Sequence, residues 1–185
     1  MRGKIKPIYM ENPNVAIGTS PRSPVPIGVT VKTTVERGNA YLLPRLYNVE
    51  VTLFEIVRGK GVWERINTQF IPAKPAETGF EYILTRIKFR YFSRGRESGY
   101  HATYKLTEGQ FVAVSADGTI DYGIPPVLQQ PQPNLIGWLF NPGESREGWI
   151  LLQAPQNDTK PLLIFKREHA EGIYGIWGCV WFQLY

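Results

Sequence analysis

Few side chains in this sequence have the type and spacing that chemistry requires. The histidines are His101 and His169; neither has a second His or Cys at metal-ligand spacing, and no H-E-x-x-H pattern occurs. Each is expected to be a solvated side chain. The lone cysteine, Cys179, has no partner for an intrachain disulfide and reads as a small apolar residue in a strand, not as a nucleophile. In Gly143-Glu144-Ser145-Arg146-Glu147-Gly148 the glycines are too far apart for a G-x-S-x-G nucleophile elbow, so the run reads as a turn. Arg58-Gly59-Lys60-Gly61 lacks the continuation of a P-loop or a dinucleotide fold, and it reads as a loop with no helix behind it to face a phosphate. Asp117 and Asp121 are two carboxylates, where calcium takes roughly six to eight oxygens, so turn chemistry is the expectation there. Carboxylate pairs of the glycosidase kind form in space, and nothing in the sequence selects one. The chain is therefore expected to be non-catalytic, without cofactor or metal.

The one surface feature with a direction is basic. Between Phe80 and Lys105 stand six cations (Arg86, Lys88, Arg90, Arg94, Arg96 and Lys105) against Glu81 and Glu97. In a strand Arg86, Lys88 and Arg90 project from one face, with neighbours about 7 Å apart. Such a row can meet phosphates or acidic glycans, with Tyr100 and Tyr104 nearby to stack on bases or sugars. It can equally be a solvated outer face whose cations pair with carboxylates on the next strand. Arg86, Lys88, Arg90, Arg94 and Arg96 are the candidate binding residues. No RNP-type motif or recognition helix points to nucleic acid.

The elements that must position these residues are strands. At 185 residues, with 43% hydrophobic and 20% charged residues, the chain has the composition of one globular domain with a core of its own. Net charge +5 and a pI near 9.3 are moderately basic and select no partner class. Residues 1–26 carry Pro7, Pro13, Pro21, Pro24 and Pro26 and read as an extended arm before a domain over 27–185. Strands are expected at 27–35, 46–57, 81–92, 110–116, 119–122, 135–140, 148–154, 162–166 and 176–184. In 46–57 the apolar alternation changes phase after Leu53, which predicts a β-bulge or burial of both faces. Ile83, Thr85, Ile87, Phe89 and Tyr91 should face a core opposite the basic row. Asp117-Gly118 predicts a type I′ hairpin. Residues 124–134, with Pro125, Pro126, Pro131 and Pro133, should be an extended crossover, and at most a short helical turn is expected, near 166–171. Eight or nine strands in this order predict an all-β fold, two antiparallel sheets packed face to face.

Particular runs also resemble a known family. Tyr47 to Gly59 (YNVEVTLFEIVRG), Glu81-Tyr82-Ile83-Leu84 before the basic strand, Ala116-Asp117-Gly118, Pro142-Gly143, Glu147-Gly148-Trp149-Ile150, Gln153-Ala154-Pro155 and Pro161-Leu162-Leu163-Ile164-Phe165 are similar to those of a bacterial domain family of unknown function. Its members look like immunoglobulin-type sandwiches, resemble an immunoprotective extracellular protein in shape, and some carry a telomere-binding label. The resemblance covers roughly residues 27–166. It implies an immunoglobulin-like sandwich, exported or lipid-anchored, that serves at a bacterial surface as an adhesion, scaffold or ligand-binding module. As written, the sequence shows no leader or lipid-attachment cysteine at its start. Among the motif residues, Gly143 and Gly148 should supply turn geometry, Trp149 should fill a core and Pro155 should end its strand.

No run approaches the roughly 18 apolar residues of a membrane-spanning helix. Residues 172–185 (GIYGIWGCVWFQLY) contain no charge, and as a strand they are apolar on both faces. Such a segment must be covered, either inside its own sandwich or by a second copy. The expected partners are thus an unidentified protein or polyanion, with a homo-oligomer through 172–185 as a further option.

Overall fold

The computed structural model describes residues 17–39, 42–66, 74–93, 103–126, 131–169 and 179–185. It is an all-β structure with two principal sheets. The larger is built from β1 (Thr30–Asn39), β2 (Leu42–Arg58), β3 (Phe80–Ser93), β7 (Ser145–Pro155) and β9 (Glu168–His169), in the order β7-β3-β2-β1-β9. The smaller joins β5 (Phe111–Val114), β8 (Leu162–Phe165) and β10 (Val180–Gln183), in the order β10-β8-β5. A short ribbon pairs β4 (Tyr104–Lys105) with β6 (Leu139–Phe140), and α1 (Lys60–Ile66) follows β2. All of these pairings are antiparallel except β1 with β9, which is parallel over two residue pairs.

Period-two alternation decides what lies between the sheets. Val49, Val51 and Leu53 of β2, Ile83, Ile87, Phe89 and Tyr91 of β3, and Ile150 and Leu152 of β7 meet Phe111, Leu163, Phe165, Val180 and Phe182 of the small sheet in one buried cluster. Each such side chain contributes about 1.5–3 kcal/mol through lost apolar hydration. Thr85 is inward as its position in the alternation requires, and its hydroxyl donates to the Ile150 carbonyl at 3.1 Å, so its burial leaves no orphan donor. The phase change after Leu53 is a bulge: Leu53 faces Ile87 and Glu55 faces Arg86, which leaves Phe54 as the extra residue.

Several expectations are corrected. Arg58-Gly59-Lys60-Gly61, read as a loop with no helix behind it, leads into α1, which begins at Lys60. Gly59 turns the chain with φ +69°, and Val62 then buries against Tyr82, Leu84 and Leu151 on the outer face of the large sheet. Seven residues are too few to register as a helical period. Residues 168–169, read as part of a helical turn, pair with β1 instead, because the free β1 edge accepts them: Glu36 N–H donates to Arg167 O at 2.9 Å. The hairpin at Asp117-Gly118 is not type I′. Only Gly118 has positive φ (+75°), and Gly118 N–H closes a turn onto Ser115 O at 2.8 Å. Strand 119–122 shrinks to the single bridge Val114–Asp121, and 135–140 to Leu139–Phe140, because Gly137 (φ +83°) turns the chain between. Gly148 lies inside β7 and supplies space, not a turn. Trp149 is not in the core between the sheets but is partly buried on the outer face, with the Arg65 guanidinium 5.0 Å from its ring.

The Pro-rich stretch enters the packing before residue 27. Val25 is buried; its N–H donates to Trp181 O at 2.7 Å and its carbonyl accepts from Gln183 N–H at 3.0 Å. This closes the outer edge of β10. Along β10, Val180 and Phe182, with Leu184 just beyond, fill the core between the sheets, while Trp181 and neighbouring Cys179 join Val112, Val114, Leu162 and Ile164 on the other face. Cys179 to Phe182 and Leu184 are therefore buried within the chain's own fold, Tyr185 at the end is exposed, and residues 172–178 lie outside the described residues.

Candidate functional site

Beyond the Tyr82 and Leu84 side chains that α1 covers, the outer face of the large sheet mixes charged and hydroxyl side chains with Leu46, Phe54 and Phe92, and the basic row stands there. Register across the strands sets its neighbours. Lys32, Glu50, Arg90 and Ser145 form one cross-strand row; Thr30, Thr52, Lys88 and Glu147 form the next; Glu55, Arg86 and Trp149 form a third. Neighbouring strands lie about 4.8 Å apart, so register sets which carboxylates come within reach of each cation.

Two of the three cations are partnered. Arg86 Nη2 lies 2.9 Å from Glu147 Oε2, and Arg90 Nη1 lies 3.9 Å from Glu50 Oε2, with its guanidinium 4.4 Å from the Phe92 ring centre. Glu50 is also held by Lys32 at 3.1 Å. Lys88 differs: among the described residues no carboxylate lies within 4.0 Å of it, and Glu147 beside it in the row is turned to Arg86.

Lys88 borders an open depression of about 350 Å³ lined by Gly28, Thr30, Glu50, Thr52, Phe54, Lys88, Arg90, Gly143 and Ser145. The Thr30 and Thr52 hydroxyls are 2.8 Å apart, and Thr52 is only 4% exposed. The bulge turns Phe54 out at one side, 43% exposed. Gly143, with φ +83°, turns the chain ahead of β7, and its N–H donates to Tyr91 O at 2.9 Å, which brings the 141–145 turn against the end of β3.

The remaining candidates have structural roles or lie elsewhere. Arg94 and Arg96, with Tyr100 and His101, are outside the described residues, so the row is placed only from Arg86 to Arg90. Tyr104 is no stacking platform: it is fully buried, 5.4 Å from the Phe89 ring in a stacked contact. Cys179 is buried in an apolar cluster. Among the described residues no group of three or more His, Cys, Asp or Glu side chains stands together as a metal site.

Perturbed carboxylates elsewhere have local causes. The Ser115 hydroxyl (2.6 Å), then the Thr119 N–H (3.0 Å) and hydroxyl (2.8 Å), donate to Asp117 and hold its carboxyl at about 2. Asp121 caps a turn through Gly123 N–H and pairs with Lys166 at 2.9 Å. Glu144 is held below its usual value first by the Asn141 N–H and then by Arg146, whose guanidinium also stacks 3.6 Å from the Trp138 ring centre. These are turn-closing arrangements. Tyr122 is pushed up to about 12, first by burial and then by donating to Asp158 at 2.7 Å.

The alternation already aims Glu50, Thr52, Arg86, Lys88 and Arg90 outward. Thr30, Phe54, Gly143 and Ser145 were missed, because only strand register and the bulge bring them to the same place. The chain matches no family model, no curated protein and no solved structure.

Proposed function

We propose that this protein is a non-catalytic binding module whose ligand site is the depression beside Lys88, on the outer face of the large sheet. One observation carries the reading: in a face where Glu147 and Glu50 neutralise Arg86 and Arg90, Lys88 keeps an uncancelled cation at a concave, hydroxyl-lined spot. The family-like motifs extend the proposal to an immunoglobulin-like module working at a bacterial cell surface, and the two-layer packing is compatible with that kinship. Backbone-amide chemical-shift mapping with a panel of small carboxylates, sulfate and neutral sugars tests the site. Saturable shifts should cluster at Gly28, Thr30, Thr52, Phe54, Lys88 and Ser145. Saturable shifts elsewhere, or turnover of any panel compound, would overturn it. Cell fractionation tests the location.

A second reading, a polyanion site along the whole row, is favoured by the shared orientation of Arg86, Lys88 and Arg90. Glu50 and Glu147 interrupt that row, so a polyanion would gain about one net contact and not three. The affinity for single-stranded DNA would then fall with a log–log salt slope near −0.7 for one contact, against about −2 for three.

A further inference from the structure

Resting on that reading, we infer that the depression takes a single carboxylated sugar residue, a hexuronic acid, with the carboxylate on Lys88 and one ring face on Phe54. Lys88 offers a compact ammonium point charge, which suits a monoanion; a phosphate or sulfate dianion is better met by several N–H donors or a guanidinium fork. Here the guanidinium that lines the depression, Arg90, is drawn to Glu50 and Phe92. The hydroxyl pair adds a donor. Each threonine has one O–H proton, and the bond between Thr30 and Thr52 uses one of the two, so one proton is unspent among the described residues. Register places that pair next to Lys88, so a carboxylate on the ammonium has a second donor one strand away.

The rest of the lining argues for a sugar over a simple acid. The Ser145 hydroxyl can exchange hydrogen bonds with ring hydroxyls, and the Glu50 carboxylate can accept them. Exposed Phe54 gives the C–H face of a pyranose an apolar surface to cover. A volume of about 350 Å³ is at the small end of ligand sites, the size for one ring and not for a polymer groove. Charge is complementary as well: Lys88 and Arg90 face Glu50 alone in the lining, and Glu50 is already shared with Lys32.

The test is a chemical-shift titration of the full chain with glucuronate, glucose and acetate in parallel, repeated on Lys88→Met and Phe54→Ala. Glucuronate should saturate at the depression more tightly than either other compound, with about a tenfold loss in Lys88→Met and a severalfold loss in Phe54→Ala. Both side chains are exposed, and unchanged spectra away from the site confirm folding. Acetate binding as tightly as glucuronate, or glucuronate binding indifferent to Phe54→Ala, overturns the sugar inference and leaves the depression as an anion site. Glucose binding equal to glucuronate overturns the role of the carboxylate. No shift at the depression with any of the three overturns both this inference and the reading beneath it.

Discussion

Replacing Gly148 by alanine should destabilise the fold although the backbone there needs no positive φ. A Cβ at Gly148 would lie 2.6 Å from Pro133 O, 2.8 Å from Leu135 Cγ and 3.2 Å from Asn134 C. Two of those atoms are backbone, and the third belongs to a buried core leucine, so no flexible chain end can yield. The crossover must move away from β7, and with it the 2.7 Å bond from Trp149 N–H to Pro133 O. Overpacking costs about 1–3 kcal/mol and the strained hydrogen bond about 0.5–1.5 kcal/mol. Loss of glycine's unfolded-state freedom offsets about 0.4–1 kcal/mol. The net is roughly 0.5–4 kcal/mol, or about 1–16 °C in Tm for a domain of this size. Thermal and urea unfolding of Gly148→Ala beside Gly61→Ala is the assay. In the control the added methyl meets only Val57 Cγ1 at 3.3 Å, and the change favours α1 by up to about 1 kcal/mol. A Gly148→Ala protein as stable as the parent would refute the close-approach reasoning.

Three further predictions follow from the same geometry. The carboxyl of Asp117 is near 2 in the fold against 3.8 when unperturbed, so its stabilising contribution is present above about pH 4 and is lost as pH falls through 2. Asp117→Asn should therefore flatten the acid limb of stability against pH, and an unchanged limb would count against the turn network. Tyr122 shifts the opposite way, to about 12 from 10.0, so its contribution is present below pH 10 and is lost as pH rises through 12. An Asp158→Asn variant should bring that tyrosine's ultraviolet titration back toward the ordinary value, and no movement would contradict the Tyr122–Asp158 bond. Deleting residues 172–185 removes β10 and the core side chains Val180, Phe182 and Leu184, and at about 1.5–3 kcal/mol each their loss is comparable with the 5–15 kcal/mol that holds a domain folded. The truncated chain should be insoluble or unfolded; a soluble truncation with an unchanged melting curve would contradict the pairing of β10 with β8.

Much of the sandwich is legible in the sequence, because alternation is a local signal. Residues 83–91 and 47–53 show which side chains face the core, and the phase change at Leu53 points to a bulge or to burial of both faces, of which the structure has the bulge. Elements set by long-range pairing are not legible. Tyr104–Lys105 and Glu168–His169 are strands only because Leu139–Phe140 and Glu36–Arg37 lie beside them, and α1 is anchored by Val62 packing on Tyr82 and Leu84 of β3, far along the chain. The candidate site divides the same way. The direction of Arg86, Lys88 and Arg90 follows from period two. Which of them is neutralised does not: strand pairing sets Glu147 opposite Lys88, and its side chain turns diagonally to the arginine. Gly148 was misread because its role is a tertiary contact with Pro133, which no local pattern reports.

Glu147 and Glu50 neutralise Arg86 and Arg90 and leave Lys88 as the cation of this face that a ligand can use. Anomalous diffraction from crystals soaked in bromide tests it directly, since the halide reports where an uncompensated cation meets open space. A bromide is expected within hydrogen-bonding reach of Lys88 Nζ, on the Thr30–Thr52 side of the depression. Bromide held by Arg86 or Arg90, with none at Lys88, would contradict it.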